Sequence, residues 1–144
     1  MTTKEKLKKA TFKYIESEVY SLQETLREID IIRYELLHST DVDLDSPQPG
    51  RNSVRDITDE TEVKATALVE HRKLNRLEKV TSAILKVYDN LIPEKQELIK
   101  LYYWKRPGEL TWNGIAKKLH IGRATALRWR KAFIYDIAEE LGER

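Results

Sequence analysis

The sequence contains no cysteine, which excludes disulfide bonds, a thiol nucleophile and cysteine-ligated zinc. It also lacks any stretch approaching the roughly 20 apolar residues of a membrane-spanning helix, and its lysine-rich start has no signal-peptide apolar core. We therefore expect no membrane association and a cytoplasmic location. Glycine and proline are scarce, with five and four residues, whereas 35% of the residues are charged. This composition predicts a helix-rich protein.

Residue sets typical of catalysis or cofactor binding are missing as well. The three histidines are far apart in the sequence, and there is no glycine-rich phosphate loop. The alternating aspartates of residues 41–45 have the spacing that opens a calcium loop. However, Ser46 stands where that loop requires glycine, and Asn52 stands where it requires glutamate. We expect no enzyme activity, no cofactor and no metal site.

Charge is unevenly distributed, although the formal net charge is only +2. Residues 39–62 hold seven acidic and two basic side chains, whereas residues 93–144 hold eleven basic and seven acidic ones. Between residues 110 and 133 there are six lysines and arginines and no acidic residue. Such a concentrated basic segment is typical of proteins that bind a polyanion.

Two long amphipathic helices are predicted in the N-terminal region, residues 1–92. In the first, apolar residues recur every three or four positions: Phe12, Ile15, Val19, Leu22, Leu26, Ile29 and Leu36. The second is predicted to begin near Thr58 or Asp59 and to end at Leu91. Residues 39–59 contain two prolines and a glycine, and we interpret them as an acidic linker. Such helices pack within one chain or between chains, and we expect a homo-oligomer.

Residues 93–144 are predicted to form a domain of three helices. Pro93 suits the first position of a helix, and Pro107 with Gly108 would end it. A helix predicted over residues 112–119 follows.

The last two helices are predicted to form a helix-turn-helix. Thr111 is a good N-cap for the helix over residues 112–119, and the final helix is predicted from Arg123 to about residue 141. The inward-facing set includes small residues that allow a close helix crossing: Ile115, Ala116, Leu119, Ile121, Ala126 and Trp129. His120 takes the place of the usual turn glycine and tolerates positive φ better than most residues do. Gly122 replaces the usual serine or threonine cap.

The outward face of the final helix is the candidate surface for double-stranded DNA. Four side chains near its start are predicted to contact bases in the major groove: Arg123, Ala124, Leu127 and Arg128. The arginines have paired donors for guanine, and the apolar pair suits thymine methyl groups. Six more side chains are predicted to contact phosphates: Thr111, Lys117, Lys118, Thr125, Arg130 and Lys131. The alternative is a solvated basic face in an ordinary helical bundle.

Three segments carry a resemblance to a known family: "LIPEKQELIKLYYW", "LTWNGIAKKLHIGRATALRWRKAF" and "IAEELGER". They resemble the RinA family of phage transcriptional regulators and the related ArpU family. The block from Pro93 is also similar to region 4 of bacterial sigma factors. The resemblance implies an all-α protein with long N-terminal helices and a C-terminal sigma-region-4-like helix-turn-helix domain. It also implies a phage-encoded activator of late packaging and virion genes that acts in the cytoplasm of the bacterial host.

Two other functions stay open from the sequence. One is a phage small terminase subunit that recognises packaging-site DNA. The other is a sigma-like module that binds RNA polymerase, for which the contact residues would be Tyr102, Trp104, Lys105 and Arg106.

Overall fold

The computed structural model describes residues 6–45, 53–105 and 110–142. Within these ranges the chain forms α-helices and one π-helical segment and no strand, so the all-α prediction is confirmed. The α-helices are α1 (Lys9–Tyr20), α2 (Leu22–Asp45), α3 (Ser53–Asp89), α4 (Pro93–Ile99), α5 (Trp112–Leu119) and α6 (Arg123–Leu141).

The predicted first long helix is divided at Ser21 into α1 and α2. Its apolar seam is largely buried, with Ile15, Val19 and Ile29 at 3% exposure or less. The seam continues through Ile32, which is buried, whereas Arg33 is exposed beside it. The side chain of Ile32 therefore fills the gap between Ile29 and Leu36 in the predicted seam.

The helices extend further into the acidic segment than the predicted linker of residues 39–59 allows. α2 continues to Asp45 and α3 begins at Ser53. Both prolines and the glycine of the linker fall in residues 46–52, outside the described residues. The residues proposed to begin the second helix, Thr58 and Asp59, are inside α3.

The chain divides into two compact units. Unit 1 combines the residues up to Gln23 with those from Val80 onward, and unit 2 comprises Glu24–Lys79. This division differs from the predicted boundary at residue 92, because α1 packs against α6 and the π-helical segment. Among the described residues, the ten largest fully buried side chains are all in unit 1: Tyr103, Phe133, Ile15, Ile84, Leu98, Ile99, Ile115, Ile134, Ile137 and Val19.

In unit 2, α2 and α3 are joined by two ion pairs. Arg33 Nη2 lies 2.8 Å from Glu78 Oε1, and Lys73 Nζ lies 2.7 Å from Glu28 Oε1. Exposed pairs of this kind contribute at most about 1 kcal/mol each. The main stabilisation of the unit comes instead from buried apolar side chains such as Ile29 and Ile32.

The helix that starts at Pro93 changes its winding after Ile99. Lys100–Lys105 form a π-helix, in which hydrogen bonds span five residues rather than four. The wider turn leaves Leu101 and Tyr103 buried while Tyr102 is half-buried. Pro107 and Gly108, predicted to end this helix, lie outside the described residues.

Candidate nucleic-acid interface

α5 covers the predicted residues 112–119, and its first turn is capped as expected. The hydroxyl of Thr111 accepts a hydrogen bond from Gly114 N at 3.1 Å. The side chain of Thr111 is therefore engaged with its own helix, which does not prevent the exposed hydroxyl from also meeting a phosphate. Lys117 and Lys118 are exposed in the last turn of α5, where cations are also favoured by the helix dipole.

Residues 120–122 connect α5 to α6 through a left-handed residue. His120 has φ 58° and ψ 40°, so it takes the conformation that the sequence predicted for it. Ile121 N donates to Ala116 O at 2.9 Å, which closes the end of α5. Gly122 is the N-cap of α6 and makes no side-chain cap hydrogen bond, because glycine has no side chain.

The start of α6 presents exposed cations on the side away from the core. Arg123, Ala124, Arg128 and Lys131 are exposed, and Leu127 is half-buried. Because positions three or four apart share one face of a helix, Ala124, Arg128 and Lys131 lie along one stripe. Ala126 and Phe133 are buried on the other side, whereas Trp129 is only half-buried.

One of the predicted phosphate contacts orients a predicted base contact. Thr125 Oγ1 accepts a hydrogen bond from Arg128 Nη2 at 3.1 Å. This bond uses one of the five guanidinium donors and leaves the others directed to solvent. Thr125 is half-buried, so its most direct role is to hold Arg128.

Arg130 is engaged inside the fold, unlike the other predicted contacts. Its Nη2 lies 2.6 Å from Glu16 Oε2, and its guanidinium packs over the rings of Phe12 and Trp112. Burial opposes its charge, but hydrogen bonds to Tyr103 and Glu16 raise the pKa of Arg130 overall. We therefore assign Arg130 a structural role and leave it out of the candidate interface.

Glu16 and Tyr103 complete this internal network and were not singled out from the sequence. Tyr103 Oη donates to Glu16 Oε2 at 2.7 Å, and Arg130 donates to the same carboxylate oxygen. Glu16 and Arg130 are 114 positions apart, so no local spacing pattern relates them. The buried Tyr103 and the half-buried Arg130 both donate hydrogen bonds to the carboxylate. A charged group that is partly removed from water needs such partners.

The aromatic residues considered for polymerase contact also pack within unit 1. Tyr102 stacks on Trp112 with ring centroids 3.9 Å apart. Trp104 donates its indole N–H to Val19 O at 2.8 Å and meets Tyr88 edge-on. Lys105 is exposed, and Arg106 lies outside the described residues.

The described residues contain no candidate metal site and no candidate membrane-spanning helix. No group of three His, Asp or Glu side chains is placed to hold a metal ion in this part of the chain. Among the helices described, none combines the length and the apolar character that crossing a membrane requires.

A protein-family model matches most of the chain. A family model described as a protein of unknown function, DUF722, matches residues 9–139. The chain belongs to the DUF722 family. No match was found among curated proteins or among solved structures. The match extends from the start of α1 into the last turn of α6, so the part of this DUF722 protein that matches the family model includes both the long helices and the candidate interface.

Proposed function

We propose that this DUF722 protein is a sequence-specific transcriptional regulator that places the start of α6 in the major groove of double-stranded DNA. The observation that carries the proposal is the exposed face formed by Arg123, Ala124, Arg128 and Lys131. Lys117 and Lys118 at the end of α5 extend it. Together these residues form an electropositive surface on two helices joined by a three-residue connection, which is the arrangement a helix-turn-helix uses.

The direction of charge along α6 supports a functional role for this face. The first turn of α6 contains no acidic residue, and the last turn contains Glu139 and Glu140 but no basic residue. The helix dipole favours the opposite arrangement, by about 0.3–1 kcal/mol for each charge. Charges that oppose the helix dipole at both ends of α6 reduce stability. Such a departure is expected where the start of the helix has to bind an anion.

The roles within the interface follow from side-chain chemistry. Arg123 and Arg128 would read guanine edges through paired donors, and Ala124 and Leu127 would contact thymine methyl groups. Lys117, Lys118 and Lys131, with the hydroxyl of Thr111, would bind phosphates and set the register without reading sequence. Thr125 would hold Arg128 in its orientation.

The biological setting of the proposal comes from the resemblance to RinA-like and ArpU-like regulators. On that basis the regulated genes would be late phage genes for packaging and virion assembly, and regulation would be activation. The chain would act as a homo-oligomer in the host cytoplasm, with each copy binding one half-site. For a symmetric dimer the half-sites would be about 34 Å apart, or a multiple of that distance.

The decisive experiment compares two single substitutions on specific and random duplex DNA. Arg128→Ala should lose about 1–3 kcal/mol on the specific site and relax the preference at one base pair. Lys118→Ala should weaken binding to both duplexes alike. Fluorescence anisotropy titrations measure both effects. Equal losses on the two duplexes for both variants would contradict the assignment of Arg128 to base recognition and Lys118 to phosphate contact.

The two alternatives predict different behaviour. A small terminase subunit would assemble into rings and bind a large terminase subunit. A polymerase-binding module would associate with RNA polymerase independently of salt and would not bind duplex DNA. In the second case substitutions at Lys105, which is exposed, should weaken polymerase binding.

A further inference from the structure

We propose that the lysines at the start of the chain form a second phosphate-binding surface, next to the one on α6. Four lysines lie within eight residues, and each side chain is exposed: Lys6, Lys8, Lys9 and Lys13. No acidic residue occurs from Lys6 to Ile15. Residues 1–38 hold seven basic and seven acidic side chains, and five of the basic ones lie within the first 13 residues. This inference rests on the proposed function, since it extends the same DNA interface.

The N-terminal segment is attached to α6 through Tyr135. Leu7 N donates to the hydroxyl of Tyr135 at 3.2 Å, and the ring of Phe12 meets the ring of Tyr135 edge-on at 6.4 Å. Lys131 also packs on Tyr135, with its Nζ 5.4 Å from the ring centroid. One tyrosine thus connects the lysine-rich segment to a predicted phosphate contact.

Tyr135 also lies on the same stripe of α6 as the predicted DNA contacts. Arg128, Lys131 and Tyr135 are separated by three and four positions, so they follow one another along a single helix face. At 1.5 Å per residue, Tyr135 is about 10 Å further along the axis than Arg128. Because the N-terminal residues of a recognition helix contact the bases, a segment held at Tyr135 would lie outside the base-reading part of the interface.

The capping of α1 provides an independent argument. The N-cap is Lys8, which makes no side-chain cap hydrogen bond, and the first turn contains no acidic residue. Ser, Thr, Asp or Asn at this position would stabilise the helix by about 1 kcal/mol, and acidic residues would suit its dipole. α1 and α6 therefore share the same unfavourable arrangement of cations at their starts, and they lie side by side in unit 1.

The first acidic residue after these lysines does not neutralise them. Glu16 is paired with Arg130 and accepts a hydrogen bond from Tyr103. The Glu16 carboxylate therefore holds α1 against α6. The lysines before it remain available to an external anion. Because lysine acts as a point charge, this surface would add affinity and register but no base preference.

The test is a quadruple variant with a matched control. Lys6→Gln, Lys8→Gln, Lys9→Gln and Lys13→Gln together remove four charges from the proposed surface. Lys64→Gln, Arg72→Gln, Arg76→Gln and Lys79→Gln remove four charges from exposed positions of unit 2. Binding of both proteins and of the wild type to specific and random duplex DNA is titrated by anisotropy over a series of salt concentrations.

We expect the N-terminal variant to bind both duplexes more weakly, by the same factor. Its slope of log K against log salt should be less steep by about 3–4, since each phosphate contact contributes about 0.9. The control should change that slope by less than about 1. Thermal melting followed by circular dichroism checks the fold. If the quadruple variant does not fold, Lys6→Gln with Lys8→Gln, both before α1, should give about half the change in slope.

The failure of this inference can be distinguished from the failure of the proposed function. If the wild type binds duplex DNA but the N-terminal variants keep its slope, or lose no more than the control does, the second surface does not exist. If the wild type does not bind duplex DNA even in dilute buffer, the proposed function itself is wrong.

Discussion

At the scale of single residues, two neighbouring arginines on α6 have opposite surroundings. Arg128 is exposed and donates a hydrogen bond to the nearby Thr125, whereas Arg130 is half-buried and donates hydrogen bonds to Glu16 and Tyr103. Two positions along a helix rotate a side chain by about 200°, so one of the pair faces solvent when the other faces the core. Under the proposed function, the same residue type would serve recognition at Arg128 and stability at Arg130.

Substitution of these arginines by methionine should separate the two roles. Arg130→Met leaves the Glu16 carboxylate without its charge partner, and we expect a loss of about 2 kcal/mol in the free energy of unfolding, less than for a fully buried pair. Arg128→Met, at an exposed position, should change it by less than about 0.5 kcal/mol. Urea denaturation measures both values. A larger loss for Arg128→Met would contradict the assignment.

Tyr103 should make the stability depend on alkaline pH. Burial first, and then the hydrogen bond to Glu16, raise the pKa of Tyr103 above its ordinary value. The stabilisation belongs to the neutral phenol. It is therefore complete below the unfolded pKa of about 10 and is lost as the pH rises above it. Tyr103→Phe should be less stable than the wild type at neutral pH, because it lacks the hydrogen bond.

The same variant should lose less stability between about pH 9.5 and 11. Part of the pH dependence will persist in it, since the pKa values of Tyr20 and Tyr88 are also raised by burial. Urea denaturation of both proteins at a series of pH values is the measurement. Parallel declines for the two proteins would mean that Tyr103 does not titrate differently in the folded state.

At the scale of elements, α6 combines a basic start with an acidic end, and this arrangement should cost stability. Arg123→Glu places an anion in the first turn, where the dipole favours it, and should raise the free energy of unfolding by about 0.5 kcal/mol. The same change should weaken DNA binding by about tenfold or more, because it replaces a predicted guanine contact with a carboxylate on the face that meets the DNA.

Arg123→Gln is the control for the charge reversal in α6. It should weaken DNA binding less than Arg123→Glu does and leave stability nearly unchanged. Stability from urea denaturation and affinity from anisotropy are measured on the same preparations. An Arg123→Glu protein that is both less stable and unchanged in DNA affinity would show that the start of α6 has an ordinary structural function.

The elements that the sequence predicted best are those with local causes. α5 and α6 have their predicted limits because Thr111 caps one helix and a left-handed His120 ends it. The π-helical segment at Lys100–Lys105 was not predicted, since α-helical and π-helical winding place similar residue types on the inner side. The pairing of Glu16 with Arg130 depends on how α1 packs on α6, and no spacing within either helix reveals it.

At the scale of the whole molecule, both long helices carry exposed apolar side chains that could join copies of the chain. The face of α2 away from its buried seam carries three large apolar side chains at intervals of three positions, which are Ile31, Tyr34 and Leu37 at 56%, 62% and 65% exposure. α3 has two neighbouring exposed apolar residues, Leu68 and Val69. Exposed apolar stripes on long helices are typical of surfaces that join subunits.

If α2 joins the copies, Ile31→Lys with Tyr34→Lys should convert an oligomer into a monomer, because burial of two new charges is unfavourable. Gln23→Lys with Ser82→Lys adds the same charge at exposed polar positions and should leave the oligomer intact. Sedimentation velocity over a range of concentrations distinguishes the species.

A monomeric α2 variant should also bind a two-half-site duplex more weakly while keeping its affinity for a single half-site, because only the linkage between copies is lost. A wild type that is monomeric at every concentration would remove the oligomer from the proposal and leave α6 to act on one half-site alone.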